Sequence, residues 1–343
     1  MKFFEHHEKV LRSHMLALLL VDLVKQRGVH PDKILKGTKL FYQDLAKASV
    51  VLSHQQWVRL VMNTCKLNNQ HDIPFLLGRQ LFPAQLGNVG FALMNTHNLN
   101  DMLRVIKCYQ GQIFPYLFMS QRSNNGTRFL FFNQAISIEN KAYFVFMSEL
   151  LLSALTCAIK WRMGYVPTIA VRFPYQRPTY VEQYQAYLPF PCSFCSDNIQ
   201  ENVQISIAEK TLQQPFNDGN RRLLHFHLRS LPKTDVGKGL VQSVWQIIER
   251  YHRLQRDISL DLLASELDVS AATLKRKLTA HHTNYQKILD RYRQQQAIFS
   301  LREQGYSTEK VAQLLSFTDI TNFRRSFKRW TGITPSALKQ SIY

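Results

Sequence analysis

Cationic and aromatic side chains alternate along one short stretch near the end of the chain, FTDITNFRRSFKRWTGITP, which runs from Phe317 to Pro335. An arginine there can donate two hydrogen bonds to the edge of a guanine, or contact a phosphate oxygen. At about 100° per residue on a helix, Phe323 and Phe327 fall on one apolar stripe and Arg325 points away from it. The pattern therefore predicts a helix with one face for a core and the other for an anionic partner.

The same layout occurs a second time, earlier in the chain. Each copy has a residue that can cap a first helix, a small residue within that helix and a residue that can cap a second one: Ser259, Ala264 and Ser270, then Ser307, Ala312 and Thr318. Two short helices that cross at a small residue are typical of a helix-turn-helix unit. Between the copies the sequence predicts one long linking helix, with apolar side chains at Ile288, Leu289, Tyr292 and Phe299.

A solvated cationic face on a core-packed helix is the simpler explanation for either copy alone. The repetition instead favours DNA binding by these faces, because a linking helix could hold two of them along one side of a duplex. In the first copy, Leu274 and Leu278 define the buried face, Ala272 and Arg276 point outward, and Lys275 lies to one side.

Residues 240–343 resemble the DNA-binding domain of AraC/XylS-family transcriptional regulators. The resemblance is carried by SAATLKRKL, by the linking helix and by the F-x-R-x-F-K-R-W-x-G-x-x-P motif that ends at Pro335. It implies that both second helices enter adjacent major-groove segments of double-stranded promoter DNA. By motif position and outward direction, the implied DNA-contacting residues are Ala272, Lys275, Arg276, Thr321, Arg324, Arg325 and Lys328. The chain departs from the family in having Ser316 where glycine is usual, and His281-His282 where a small-residue turn is usual.

The first two thirds of the chain predict an α+β domain. Residues 12–110 are mostly helical in pattern, and two aromatic runs around the turn Asn124-Asn125-Gly126 then predict a β-hairpin. A long apolar helix that ends at Gly164 and two or three further strands follow. Because 229–239 is rich in Pro, Gly and charge, we expect a domain over 1–228, a linker over 229–239 and an all-α DNA-binding domain over 240–343.

Residues 1–225 resemble the arabinose-binding-type effector domain of the AraC branch that contains ornithine-responsive regulators. The matching features are the stretch from Leu86 to Gly90, with its two glycines before a helix, and the Leu-x-x-Pro-Phe segment that ends at Phe216. The resemblance implies a module that binds a small-molecule effector and forms a homodimer, in an activator that contacts RNA polymerase. Its effector-binding residues stay unknown, and fatty acids, amino acids and aromatic metabolites all remain open as ligands.

The net charge of the chain is +19, from 43 Lys and Arg against 24 Asp and Glu in 343 residues. Such a surplus indicates an anionic partner, either nucleic acid or a membrane surface. The apolar run Met15–Val24 is interrupted by Asp22 and is shorter than the roughly 20 residues that span a bilayer, so we expect a buried helix and no membrane partner. An odd and sparse set of five cysteines favours the cytoplasm.

Catalytic motifs are absent from the sequence: it has no P-loop, no G-x-G-x-x-G, no G-x-S-x-G and no H-E-x-x-H, so we expect no enzyme and no cofactor. Two alternatives to the effector-responsive regulator stay open. The N-terminal domain could serve only dimerisation or protein interaction, or Cys192 and Cys195 could give metal or redox control. We expect the CxxC to lie on a packed strand without metal, and the His6-His7 and His281-His282 pairs to lie at the surface.

Overall fold

A computed structural model describes residues 3–67, 71–137, 140–195, 202–231 and 237–340. The N-terminal part is α+β, as predicted. Its helices are α1 (Ser13–Lys25), α2 (Pro31–Leu35), α3 (His54–Leu67), α4 (Ile73–Leu81), α5 (Gly87–Met94), α6 (Leu99–Ile113), α7 (Lys141–Met163), α8 (Val181–Tyr187), α9 (Glu209–Leu212) and α10 (Arg221–Arg229), with short 3₁₀ helices at Tyr42–Asp44 and Ala84–Leu86.

A five-stranded sheet organises this part. Its strands are β4 (Leu117–Asn124), β5 (Thr127–Gln134), β6 (Ile169–Phe173), β7 (Cys192–Phe194) and β8 (Val203–Ala208), in the order β4-β5-β8-β6-β7. The predicted hairpin is confirmed as β4 and β5. Its turn residues Asn125 and Gly126 have φ of +46° and +73°, which a two-residue hairpin turn of this twist requires. The aromatic runs that could have lined an effector site are mostly core, including Phe114, Tyr116 and Phe146.

Two short strand pairs were not predicted. The strands β2 (Lys9–Arg12) and β3 (Val51–Ser53) pair antiparallel, and β1 (Phe3–Phe4) pairs parallel with β9 (Lys238–Gly239). The second pair joins the start of the chain to the end of the expected linker. Residues 232–236 of that linker lie outside the described part of the chain.

Helix α7 runs through the interior of the N-terminal part. It ends where predicted, at Gly164, whose φ of +79° closes the helix in a left-handed cap. Helix α4 crosses it at Gly78, where a Cβ atom would lie 2.3 Å from the carbonyl oxygen of Leu150. Among the described helices, α7 alone has the length and apolar character to cross a bilayer, and 61% of its most apolar window is buried within the protein. The run Met15–Val24 lies in the largely buried α1.

The C-terminal part is all helical, as predicted. Its helices are α11 (Leu240–Arg253), α12 (Leu260–Glu266), α13 (Ala271–Ala280), α14 (Tyr285–Arg302), α15 (Thr308–Leu314), α16 (Ile320–Thr331) and α17 (Pro335–Gln340). Helix α14 is the predicted linking helix. Its first half shares a core with α11, α12 and α13, and its second half shares another with α15, α16 and α17.

The helical part packs against the sheet of the N-terminal part. The ring of Phe299 in α14 contacts Phe129 and Phe131 of β5, with ring centroids 5.3 and 6.1 Å apart. The carboxylate of Glu303, which follows α14, accepts hydrogen bonds from Arg172 of β6 at 3.2 Å and Gln204 of β8 at 3.1 Å. The linking helix is therefore held by the sheet as well as by the two helix-turn-helix units.

Candidate nucleic-acid interface

The first helix-turn-helix unit is formed by α12 and α13. Ser259 accepts a hydrogen bond from the Leu262 backbone N–H, and Ser270 accepts one from the Thr273 N–H, so both predicted caps are confirmed. Ala264 is 1% exposed at the crossing of the two helices. The buried side chains of Leu274 and Leu278 leave the opposite face of α13 to solvent, as the helical periodicity predicts.

The second unit is formed by α15 and α16. Ser307 caps α15 as predicted, but the cap of α16 is Asp319 and not Thr318. The Asp319 carboxylate accepts a hydrogen bond from the Asn322 backbone N–H at 2.8 Å. A carboxylate also interacts favourably with the positive end of the helix dipole, which the hydroxyl of Thr318 would not do. Phe323 and Phe327 are fully buried, as predicted.

Each unit turns between its helices through a residue in the left-handed region. Asp268 has φ +57° in the first turn, and Ser316 has φ +59° in the second. The position of Ser316 therefore has the backbone conformation that explains why glycine is usual there. The departure from the family pattern leaves the turn geometry in place, at the cost of some backbone strain.

All seven predicted DNA-contacting side chains are exposed: Ala272, Lys275 and Arg276 on α13, and Thr321, Arg324, Arg325 and Lys328 on α16. Two helices thus present a polar or cationic face from firmly packed units. One backbone N–H at the start of each helix is taken by the cap, that of Thr273 by Ser270 and that of Asn322 by Asp319.

The cations on α16 differ in how they are held. Arg324 lies 3.8 Å from the carboxylate of Glu309, and Arg329 lies 3.3 Å from that of Asp290. Within the described part of the chain, Arg325 has no such ion pair. Its guanidinium is therefore available to a partner without first breaking a contact inside the protein.

One cation of α13 that the sequence did not single out has a partner outside the helical part. Lys277 forms an ion pair with Glu5, which lies just after β1, and its ammonium lies 5.5 Å from the centroid of the Phe3 ring. The lysine holds the pKa of the Glu5 carboxyl below its usual range, against the opposing effect of burial, which is the largest single influence. No sequence pattern links residues this far apart in the chain.

The expected surface position of the histidine pairs is wrong for His281. It is 1% exposed, and its Nε2 lies 3.3 Å from Nδ1 of the half-buried His6. The helix-turn-helix packs here against the N-terminal segment, which the sequence of either segment alone does not show. His282 is exposed, with φ +55° at the turn after α13.

The CxxC was expected on a packed strand, but it lies at the edge of the sheet: Cys192 begins β7, Cys195 follows the strand, and both are half-buried. Cys192 belongs to β7, and burial raises the pKa of its thiol to about 11, so the nucleophilic thiolate is scarce at neutral pH. Across the residues that the structure describes, His, Cys, Asp and Glu form no group of three or more that could hold a metal ion.

Comparison with known proteins identifies both parts of the chain. The model of the arabinose-binding domain of AraC transcription regulator, N-term, matches residues 28–215, and a helix-turn-helix domain model matches residues 263–341. The ornithine utilization regulator of Pseudomonas aeruginosa is 24% identical over 327 residues, which cover 94% of each chain. The transcriptional regulator AdiY of Escherichia coli is 33% identical over 93 residues, 27% of this chain and 36% of that protein.

A solved structure also covers most of the chain. The crystal structure of the transcriptional regulator CdpR from Pseudomonas aeruginosa spans 95% of this chain and 98% of its own, with 20% identity and a TM-score of 0.47. Both resemblances seen in the sequence are confirmed by the family models, of which the N-terminal one alone covers more than half of the chain. The chain belongs to the AraC family of DNA-binding transcriptional regulators and carries an arabinose-binding-type N-terminal domain.

Proposed function

We propose that this regulator is a cytoplasmic activator that reads promoter DNA with α13 and α16 and responds to a small-molecule effector. One observation carries the proposal: two capped and firmly packed helices, held by one linking helix, expose Arg276 and Arg325 on their outward faces. Lys275, Arg324 and Lys328 add charge on either side, and Ala272 and Thr321 offer small contacts to base edges.

The roles within this set follow from the contacts. Arg325 has an unpaired guanidinium among the described residues and is our first choice for reading a base. Arg324 and Arg329 lie beside carboxylates, which suits cations that align along phosphates. Lys328 is a point charge on the same exposed side and fits a phosphate contact.

The domain division is part of the proposal: an effector and dimerisation domain over 1–228, a linker over 229–239 and a DNA-binding domain over 240–343. Helix α10 ends at Arg229 and α11 begins at Leu240, which supports these bounds. In such an arrangement an effector acts by favouring one of two relative positions of the domains, to which it binds with different affinity.

A homodimer is the expected assembly. Exposed apolar side chains on α5 and α10 support it, with Phe91 at 46%, Leu223 at 46% and Phe226 at 62% exposure. Sedimentation of the full chain measures the subunit number. A Phe226→Asp variant should shift it towards the monomer, and an unchanged dimer would remove this face from consideration.

The proposal is tested by DNA binding of the full chain. A duplex selected from a random pool should bind roughly a thousandfold or more tightly than a scrambled one. An Arg325→Ala variant should lose about 1–3 kcal/mol of binding free energy for the selected duplex, and not for the scrambled one. Lys107→Ala, at an exposed site on α6, is the matched control. Equal affinity of the wild type for both duplexes would overturn sequence-specific regulation.

Activation is tested separately, by transcription in vitro with RNA polymerase. Addition of the regulator should raise transcript from a promoter that carries the selected site, and a fall would assign repression. If no metabolite from a broad library shifts the melting temperature, the N-terminal domain serves dimerisation or protein interaction only. Control through Cys192 and Cys195 has little support, because the half-buried thiol of Cys192 has a raised pKa of about 11 and stays protonated at neutral pH.

A further inference from the structure

A cleft of about 910 Å³ lies where the N-terminal part meets the end of α13. One side is a continuous stripe of α3, which includes Gln55, Arg59, Met62 and Lys66. The opposite side includes His281 and the neighbouring residues at the end of α13. Its volume falls within the roughly 300–1,000 Å³ that is usual for small-molecule sites.

Among the described residues that line the cleft, the charged side chains are cationic. Lys9, Lys39, Arg59 and Lys66 all line it, and the described lining residues include no aspartate or glutamate. None of the four cations has a salt bridge within the described part of the chain. A concave surface lined by unpaired cations concentrates the positive potential and attracts anions.

Two buried histidines in the wall have unsatisfied ring nitrogens. His54, at 3% exposure, has no hydrogen-bond partner at Nε2, and His281, at 1%, has none at Nδ1. Buried polar atoms are nearly always paired in folded proteins. Burial lowers the pKa of His54 to about 3, and the nearby His281 and His6 lower it further. Burial lowers the pKa of His281 to about 4, where His6 adds to the effect and Glu5 opposes it. Both rings are therefore neutral at pH 7, and their unsatisfied nitrogens are covered by protein, so the histidines add no charge to this wall.

Polar side chains between these cations hold the wall in place. Gln56 and Asn63 line the cleft from α3, and each is fixed by hydrogen bonds to backbone carbonyls: Gln56 to Thr38 at 2.9 Å and Asn63 to Ile34 at 2.8 Å. These contacts hold the α3 wall against the loop that carries Lys39. The cationic wall is thus built on a helix whose position is set by its own packing.

We propose that this cleft is the effector site and that its ligand is a small anion carrying carboxylate or phosphate groups. The inference rests on the proposed function, because it names the ligand class of the same regulator. Arg59 and Lys66 would bind the anionic groups, while Val58 and Met62 on the same stripe would contact an apolar portion.

The position of the cleft gives the ligand a route to DNA binding. Ala280, His281 and His282 lie at the C-terminal end of α13, whereas Ala272 lies in its first turn. A ligand that touches both α3 and this end adds contacts across the same boundary as the Glu5–Lys277 ion pair. It thereby favours one position of α13, the first of the two proposed recognition helices, relative to the N-terminal domain. By linkage, DNA and the anion then change each other's affinity by the same factor.

Calorimetric titration of the full chain at constant ionic strength tests the proposal, with citrate and pyrophosphate as anionic probes. L-arabinose and L-ornithine serve as neutral and cationic contrasts. We expect one or both anions to bind, and an Arg59→Ala/Lys66→Ala variant to bind them roughly tenfold or more weakly, a loss of about 1.4 kcal/mol or more. Citrate against pyrophosphate separates carboxylate from phosphate recognition.

Two control variants keep the result interpretable. An Arg276→Ala/Arg325→Ala variant should retain anion binding, since loss there would place the anions on the DNA-binding face and overturn the proposal. Lys107→Ala should bind like the wild type. Failure of both anions to bind, or equal anion affinity in the Arg59→Ala/Lys66→Ala variant, would also overturn it. Failure of the proposed function is seen separately, as wild-type protein that does not discriminate the selected duplex.

Discussion

Lys277 of α13 donates a hydrogen bond to the carboxylate of Glu5, in the N-terminal segment of the chain. The contact joins the helix that is expected to read DNA to the domain that is expected to sense an effector. It lies beside the His6–His281 contact and next to the pairing of β1 with β9. Helix α13 is therefore restrained on the side that faces the N-terminal segment, while Ala272, Lys275 and Arg276 stay exposed.

Removing this ion pair should weaken the restraint and release a cation. In a Glu5→Ala variant, freed Lys277 should strengthen nonspecific DNA binding and steepen its salt dependence by about one phosphate contact. Titration of the full chain with nonspecific duplex at several salt concentrations measures both. Adding Lys277→Ala to the Glu5→Ala variant should reverse the change, because the freed cation is then removed. An unchanged salt slope in Glu5→Ala would show that Lys277 does not reach DNA.

Relief of backbone strain should stabilise the second helix-turn-helix unit. A serine at φ +59° carries a cost of about 1–2 kcal/mol that glycine avoids, although glycine loses more entropy on folding. Ser316→Gly should therefore raise the free energy of unfolding by roughly 0.5–1 kcal/mol. Urea unfolding monitored by circular dichroism measures it. Ser307→Gly is the contrast and should not stabilise the protein, because it removes the side chain that caps α15. Destabilisation by Ser316→Gly would mean that the hydroxyl contributes more than the strain costs.

Most of the fold was predictable because it depends on local patterns. The caps at Ser259, Ser270 and Ser307 and the buried stripe of α16 follow from residue type and helical periodicity. The shift of one cap from Thr318 to Asp319 is a competition between neighbouring acceptors, which the carboxylate wins through the helix dipole.

The contacts between the two parts were not predictable. The sequence places Phe299 among the apolar side chains of the linking helix. Its contact with the ring of Phe129 in β5 depends on the tertiary arrangement, which no local pattern shows. His281 was expected at the surface, because a histidine pair at a helix end has no local reason to be buried. The cleft has the same origin: its cations come from β2, α3 and the loop before it, and converge only in the folded chain.

A buried carboxyl in the N-terminal domain should make its stability depend on pH. Glu149 of α7 is 2% exposed and accepts hydrogen bonds from Tyr184 at 2.6 Å and Tyr180 at 3.1 Å. Burial raises its pKa to about 8, and the tyrosine hydrogen bonds oppose that shift only in part. Below its ordinary pKa the group is protonated in both the folded and unfolded states. Between that value and about 8 the folded state binds the extra proton, so its contribution to stability is lost as the pH rises.

Substitution of this residue gives the check. Between pH 5 and 8, the free energy of unfolding of the wild type should fall by up to about 1.4 kcal/mol per pH unit because of Glu149. The Glu149→Gln variant should lack this part of the fall. Urea titrations across that range measure the slope, with the exposed Glu182→Gln as control. If the free energy of unfolding changes with pH in the same way in the wild type and in Glu149→Gln, the carboxyl is ionised in the folded protein.

The central claim is that two recognition helices on one chain read two segments of the same DNA. Selection of binding sites from a random duplex pool, carried out in parallel with wild type, Arg276→Ala and Arg325→Ala, tests it most directly. Each variant should lose sequence preference in one segment and keep it in the other, with the two segments about one helical turn, or 34 Å, apart. Loss of preference at the same position in both variants, or retention of the full wild-type preference by both, would contradict the account.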